Sequence, residues 1–148
     1  MSRLTIIGIG PGSAEYFMPA ARNRMRKAHT VIAAKRILPM LQDVCGSTEA
    51  QFQPMGKIKD TLEVIDGLLH QEKDVALVVS GDPLMYSLYK TILNQEISED
   101  WEMDVIPGIG SMQMLGAAFG ETMEDARLMS VHGRSRTPGS VALCVTEN

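Results

Sequence analysis

Three turns rich in glycine and proline carry the chemistry that this sequence most clearly suggests. They are Gly8-Ile9-Gly10-Pro11-Gly12, Ser80-Gly81-Asp82-Pro83 and Pro107-Gly108-Ile109-Gly110-Ser111, and each follows a short apolar run. Small residues at such points let the backbone turn sharply or approach another group closely. Because ligands of open α/β sheets bind outside the carboxyl ends of the strands, the three turns predict one shared ligand crevice.

The first turn does not match the common nucleotide-binding fingerprints. The dinucleotide motif G-x-G-x-x-G needs a glycine where Ser13 stands, and an acidic residue about 20 positions later that binds a ribose. The second predicted strand instead ends in Ala33-Ala34-Lys35, which also counts against an ordinary Rossmann-type methyltransferase. A Walker loop is absent, because Gly56-Lys57 is followed by Ile58 rather than by Ser or Thr.

Asp82 in the second turn has a structural as well as a functional interpretation. With Pro83 at the first helical position, its carboxylate would cap a helix N-terminus. That cap is compatible with ligand binding, because the amides of Gly81 and Asp82 would still be exposed to a ligand.

Strands and helices alternate around these turns. The predicted strands are residues 4–9, 30–34, 75–79 and 103–106, and the predicted helices are 18–28, 58–71, 84–94 and 111–119. The strands are continuous apolar runs, which is typical of strands buried on both faces. The pattern therefore predicts an α/β fold with a mostly parallel sheet that is covered by helices on both sides.

The composition excludes several classes of partner. The chain has 148 residues, of which 45% are hydrophobic, and a net charge of -4, which argues against nucleic acid. Cys45 and Cys144 have no C-x-x-C spacing and the three histidines have no metal-ligand spacing, so neither a disulfide framework nor a metal site is expected. No signal-peptide or membrane-length apolar segment follows Met1, so a cytoplasmic location without a membrane partner is expected.

Taken together, the three turns resemble the tetrapyrrole (precorrin) methylase family. The matching stretches are G-I-G-P-G-S at 8–13, S-G-D-P-L-M-Y-S at 80–87 and P-G-I-G-S-M-Q at 107–113. The stretch at 124–134 is most similar to the cobalt-precorrin-7 (C5)-methyltransferases and to the N-terminal half of precorrin-6Y C5,15-methyltransferases. The sequence departs from the family pattern at Ser13, where an acidic residue is usual, and at Gly110, where serine or threonine is common.

The resemblance implies a methyltransferase that uses S-adenosyl-L-methionine to methylate carbon 5 of a precorrin in cobalamin biosynthesis. It implies a two-domain tetrapyrrole methylase fold, with an N-terminal domain over residues 1–108, an incomplete second domain over 109–148 and the methyl donor between them. Family members often pair, so a homodimer is expected. Carried over by position, the residues implied to bind the donor are Gly10, Pro11, Ser80, Gly81, Asp82, Met85, Gly110 and Ser111.

A precorrin substrate carries several carboxylates, which cations would neutralise. His132 and Arg134 are the substrate-binding residues that the resemblance implies. Further candidates are Lys35, Arg36 and Arg136, although a solvated basic face explains these charges equally well. The donor is already activated for methyl transfer, so no metal is required. The catalytic residue stays open, with Tyr86 and His132 as candidates for a general base.

The end of the chain leaves alternatives open. Residues 139–148 are predicted to form one more buried strand, and a two-strand remnant of a second domain would expose strand edges. The chain is therefore expected to be a fragment, an internally shortened form or a protomer completed by a partner. Other possible functions are a family methylase acting at another macrocycle carbon, diphthine synthase, a donor-binding module without turnover, and a nucleotide-binding α/β protein.

Overall fold

The computed structural model describes residues 2–94 and 101–126. The chain divides into two compact units, Met1–Met114 and Leu115–Asn148. The strands are β1 (Arg3–Gly8), β2 (Thr30–Ala33), β3 (Gln51–Pro54), β4 (Val75–Val79) and β5 (Glu102–Ile106). The helices are α1 (Pro19–Lys27), α2 (Leu38–Cys45), α3 (Ile58–His70), α4 (Leu88–Leu93) and α5 (Ser111–Phe119), with single 3-10 turns at Ala14–Tyr16 and Lys35–Ile37.

The five strands form one sheet in the order β3-β2-β4-β1-β5. All of its strand pairs are parallel, and β1 aligns Gly8 with Val79 of β4. All five residues of β4 are buried, because strands lie on both sides of it and helices lie above and below. The predicted α/β fold with a mostly parallel sheet is therefore confirmed.

Two hydrophobic clusters cover the two faces of the sheet. Met25 of α1 and Leu41 of α2 pack on the face that Ile7 points to. Ile65 of α3 packs on the opposite face, which receives the neighbouring side chain Ile6. Each of these buried side chains contributes about 1.5–3 kcal/mol by leaving water, so the apolar strands and helix faces hold the layers together.

All predicted elements among the described residues are confirmed to within one or two residues except one. The helix predicted over 84–94 begins only at Leu88, because Tyr86 has a left-handed φ of 49° and Ser87 is extended. The sequence analysis also missed α2 and β3. The strand β3 reads Gln-Phe-Gln-Pro and is mostly exposed at the sheet edge, so it lacks the apolar run that marked the other strands.

The second unit is described only for residues 115–126. There α5 ends at Phe119, and Gly120 follows with a φ of 67°, the left-handed conformation in which a glycine commonly ends a helix. The amide of Glu121 donates to the carbonyl of Gly116 at 3.0 Å. The strand predicted over 139–148 lies outside the described residues.

Within the described residues, no helix combines the length and the apolar character that a membrane span requires.

Candidate functional site

Two adjacent central strands, β1 and β4, are followed by helices that pack on opposite faces of the sheet. After β1 the chain continues into α1, which packs on one face of the sheet, and after β4 it continues into α4, which packs on the other face. Because β1 and β4 are neighbours, their carboxyl ends form a topological switch point. In open α/β sheets this is where the diverging chain leaves a ligand crevice.

A backbone bridge joins the first two turns at this switch point. The amide of Gly10 donates to the carbonyl of Gly81 at 3.1 Å, and the amide of Gly81 donates to the carbonyl of Gly10 at 2.8 Å. Gly10 has a φ of 68° and Gly81 a φ of 67°, a region that residues with a side chain enter only with strain. Glycine at both positions therefore allows the turns to close on each other.

The third turn packs against the first two by direct contact of backbones. A Cβ atom added to Gly108 would overlap the carbonyl oxygen of Gly81 and would lie 2.7 Å from the carbonyl carbon of Gly8. A Cβ atom added to Gly81 would lie 4.0 Å from the Cα atom of Gly110. The three turns thus meet at one edge of the sheet, as their positions after β1, β4 and β5 led us to expect.

Asp82 shapes the second turn without capping a helix. Its Oδ1 atom accepts a hydrogen bond from the amide of Leu84 at 3.0 Å, and its carbonyl accepts one from the amide of Met85 at 3.1 Å. This is the local side-chain-to-backbone turn that Asp favours. The predicted helix N-cap at Asp82 is wrong, because the first helical residue, Leu88, lies well beyond the reach of its carboxylate.

The crevice presents polar backbone groups from two of its turns. The expectation that the Gly81 amide is available to a ligand is wrong, because that amide is used in the bridge to Gly10. The amide of Asp82, by contrast, donates to no acceptor in the part of the chain that the structure describes. In α5 the first intrahelical bond runs from Met114 to Gly110, so the amides of the first helical turn, beginning at Ser111, are also available.

A cation reaches the same edge from a fourth strand. Arg36 lies in the 3-10 turn after β2, which is the neighbour of β4, and its Nη2 atom donates to the Ser80 hydroxyl at 2.9 Å. Lys35 is also exposed in this turn. The other cations proposed for the substrate, at 132, 134 and 136, lie outside the described residues.

Apolar side chains flank the polar groups. Met85 is half-buried, while Leu84 and Tyr86 are each 55% exposed beside it. Tyr86 adopts its left-handed backbone conformation just after the second turn, and strain of this kind is concentrated at functional sites. Over the residues 2–94 and 101–126, no group of three or more His, Cys, Asp or Glu side chains is placed to hold a metal ion.

Sequence comparison decides the family. A family model for tetrapyrrole (corrin/porphyrin) methylases matches residues 3–144. The chain belongs to this family. The predicted family is therefore confirmed, and the matched residues include all three turns.

Individual relatives agree with this assignment. The chain is 31% identical to a cobalt-precorrin-7 C(5)-methyltransferase of Salmonella typhimurium over 137 residues, which cover 88% of this chain and 62% of the relative. It is 29% identical to a probable enzyme of the same name from Methanocaldococcus jannaschii, covering 87% of this chain and 60% of that protein. The chain thus spans less than two thirds of the length of these relatives.

Solved structures share the fold. The methyltransferase CobJ superposes with a TM-score of 0.76 at 17% identity, over 96% of this chain and 61% of that one. A precorrin-6Y methylase from Archaeoglobus fulgidus superposes with a TM-score of 0.69 at 22% identity, over 87% of this chain and 64% of that one. Both superpositions show that this chain shares the fold of these two proteins.

Two contacts at the site went beyond what sequence reasoning identified. Gly8 and Gly108 belong to the first and third turns but were not predicted as site residues, although the close contact of their backbones brings these two turns together. The available signal for Gly8 was its position at the end of a buried strand, and for Gly108 it was the Pro-Gly pair that follows β5. The contact between Arg36 and Ser80 joins residues that are 44 positions apart, and no local pattern could predict it.

Proposed function

We propose that this protein is an S-adenosyl-L-methionine-dependent C-methyltransferase that acts on carbon 5 of a precorrin in cobalamin biosynthesis. Membership of the tetrapyrrole methylase family supports the reaction class. Similarity to a cobalt-precorrin-7 C(5)-methyltransferase and to a probable enzyme of the same name supports the choice of macrocycle and carbon.

One observation carries the proposal that the donor binds at the three turns. The bridge between Gly10 and Gly81 brings two strand ends together, and both bridging residues are glycines, so their backbone is not covered by side chains of their own. The neighbouring amide of Asp82 and the half-buried Met85 offer one polar and one apolar contact. A ligand with a charged amino-acid end and an apolar thioether or sulfonium portion fits this combination.

In this proposal the protein mainly positions the reactants. The bound donor supplies a methyl group on a positively charged sulfur, which is activated for transfer to a nucleophilic carbon. The amide of Asp82 donates to the amino-acid end, Gly10 and Gly81 allow that end to approach the backbone closely, and the first turn of α5, beginning at Ser111, limits the crevice on the side of β5. Holding the carbon, the methyl group and the sulfur in line removes much of the entropic barrier, and exclusion of water protects the alignment.

The proposal also covers further binding residues, proton transfer, the domain division, the oligomeric state and the location. Pro11, Ser80 and Gly110 complete the donor site, and His132 and Arg134 bind substrate carboxylates. Tyr86 and His132 stay the candidates for proton transfer. We also propose an N-terminal domain over 1–108 followed by part of a second domain over 109–148, a homodimer and a cytoplasmic location.

Donor binding without turnover is the second candidate function. The chain covers 62% of the relative from Salmonella typhimurium, so the part that is matched here includes the turns but not the whole of that enzyme. The same turns would bind the donor in either case. Only the transfer step separates the two functions.

A methyl-transfer assay tests the proposal. The protein is incubated with cobalt-precorrin-7 and S-adenosylmethionine bearing a labelled methyl group, and the corrinoid product is analysed by mass spectrometry. We expect label in the macrocycle, with inhibition by S-adenosylhomocysteine and no effect of ATP. Binding of S-adenosylhomocysteine without label transfer would support the donor-binding module instead. Failure to bind S-adenosylhomocysteine would contradict both functions.

A further inference from the structure

Arg36 is the one cation that the described structure ties directly to the ligand crevice. Its Nη2 atom donates to the hydroxyl of Ser80, which follows the last residue of β4. Because β2 and β4 are neighbours in the sheet, the 3-10 turn after β2 places this guanidinium at the same edge as the glycine bridge. Arg36 therefore brings a charged group from the end of a fourth strand, β2, to the crevice.

The guanidinium is positively charged and has bonding capacity left over. It carries five N–H donors in a planar fork, of which the contact to Ser80 uses one. Arg36 is exposed, and among the described residues no Asp or Glu lies within ion-pair distance of it. Other arginines of the first unit have such partners, since Arg3 pairs with Glu102 and Asp104 and Arg24 also pairs with Asp104.

The contact with Ser80 also limits the freedom of a long side chain. An arginine that is already held in one place loses less rotamer entropy when a ligand binds. The planar fork matches a carboxylate, which can accept two parallel N–H bonds. The acidic group of the second turn, Asp82, already accepts a hydrogen bond from the amide of Leu84.

We infer that Arg36, positioned by Ser80, binds a carboxylate of the ligand and so contributes to specificity at this site. The inference rests on the proposed function, which provides two sources for that group. One is the carboxylate of the donor's methionine portion, and the other is an acidic side chain of the macrocycle. Both present the same chemistry to the guanidinium, so the test must separate them.

Calorimetric titration of wild type, Arg36→Gln and Arg36→Lys provides the test. S-adenosylhomocysteine is compared with methylthioadenosine, which lacks the amino-acid carboxylate, and cobyrinic acid is compared with its amide derivative. Lys27→Gln is the matched control, because it removes an exposed positive charge from the last turn of α1, at the opposite edge of the sheet.

We expect Arg36→Gln to weaken one acidic ligand by roughly 10- to 100-fold, the range for a charged hydrogen bond, while its uncharged counterpart and the control variant stay at wild-type affinity. Arg36→Lys should restore only part of the loss, because lysine cannot form the two parallel bonds. Loss with S-adenosylhomocysteine assigns the donor carboxylate, and loss with cobyrinic acid assigns the macrocycle.

Ser80→Ala is the second variant, since it removes the anchor and leaves the charge. It should weaken the same ligand to a smaller extent than Arg36→Gln. Equal affinities in wild type and Arg36→Gln for both acidic ligands would overturn the inference while leaving the proposed function intact. Failure of the folded wild type to bind any of these ligands would overturn both.

Discussion

Replacing Gly108 by alanine should disrupt the meeting point of the three turns. The new methyl group would overlap the carbonyl oxygen of Gly81 and would lie 2.8 Å from the amide nitrogen of Gly10. Inserting a methyl group into a packed region costs about 1–3 kcal/mol when neighbouring side chains can adjust. Here the neighbours are backbone atoms of two strand ends, so we expect a loss at the upper end, about 3 kcal/mol.

Two other glycines provide matched controls. An alanine at Gly110 would meet the Oε1 atom of Gln113 at 2.6 Å, and that side-chain end can rotate away. Gly110→Ala should therefore cost no more than about 1 kcal/mol. Gly67 lies inside α3, where an added Cβ meets nothing within 4 Å. Gly67→Ala should stabilise the protein by about 0.8–1 kcal/mol through helix propensity.

Urea unfolding followed by fluorescence of Trp101 would measure the three changes. Trp101 is the single tryptophan of the chain and directly precedes β5, so its signal reports on the sheet. With an m-value of about 1.5 kcal/mol/M, Gly108→Ala should lower the unfolding midpoint by about 2 M, and Gly67→Ala should raise it slightly. Gly108→Ala with a midpoint equal to that of wild type would refute the backbone packing described for the turns.

Further substitutions and modifications test other parts of the structure. Asp82→Ala loses the bond from Leu84 and should cost about 1 kcal/mol of stability, with a larger effect on S-adenosylhomocysteine affinity; lowered stability at unchanged affinity would give Asp82 a purely structural role. Leu77→Ala removes a buried side chain of β4 and should cost about 2–5 kcal/mol in the same unfolding assay, whereas a cost near zero would contradict its burial. Burial raises the pKa of the Cys45 thiol against the opposing effect of nearby arginines, so in a Cys144→Ser background maleimide should label native Cys45 far more slowly than the urea-unfolded chain. Equal labelling rates in the native and the unfolded chain would contradict the burial of Cys45. Because folding raises the pKa of this thiol, its contribution to stability is present below about pH 8.5 and is lost as the pH rises further.

The central strands were predictable because burial on both faces demands continuous apolar residues. Runs such as Val75–Val79 and the glycine turns that follow them are local patterns, and they indicated both the sheet and the strand ends at which the turns meet. The edge strand β3 lacked that pattern, because water covers much of its surface and permits glutamine. Elements at the rim of a sheet are held by pairing with a neighbour, and that pairing is not written in their own composition.

The details of the site depended on contacts between distant residues. The Gly10–Gly81 bridge and the bond from Arg36 to Ser80 arise only once the strand order places β2, β4 and β1 side by side. The late start of α4 was also unpredictable, since its composition suits a helix and the backbone conformations of Tyr86 and Ser87 delay it. Sequence reasoning therefore identified the turns that meet at the strand ends, while the topology determined which groups contact one another there.

Calorimetric titration of the wild-type protein with S-adenosylhomocysteine tests the central claim most directly, because donor binding at the three turns underlies the proposed reaction. We predict saturable binding at one site per chain, no competition by ATP or NAD, and stabilisation against unfolding of about 2.7 kcal/mol when the ligand concentration is 100 times the dissociation constant. A folded protein that gives neither heat nor thermal stabilisation at millimolar S-adenosylhomocysteine, or that releases it to ATP, would contradict the claim.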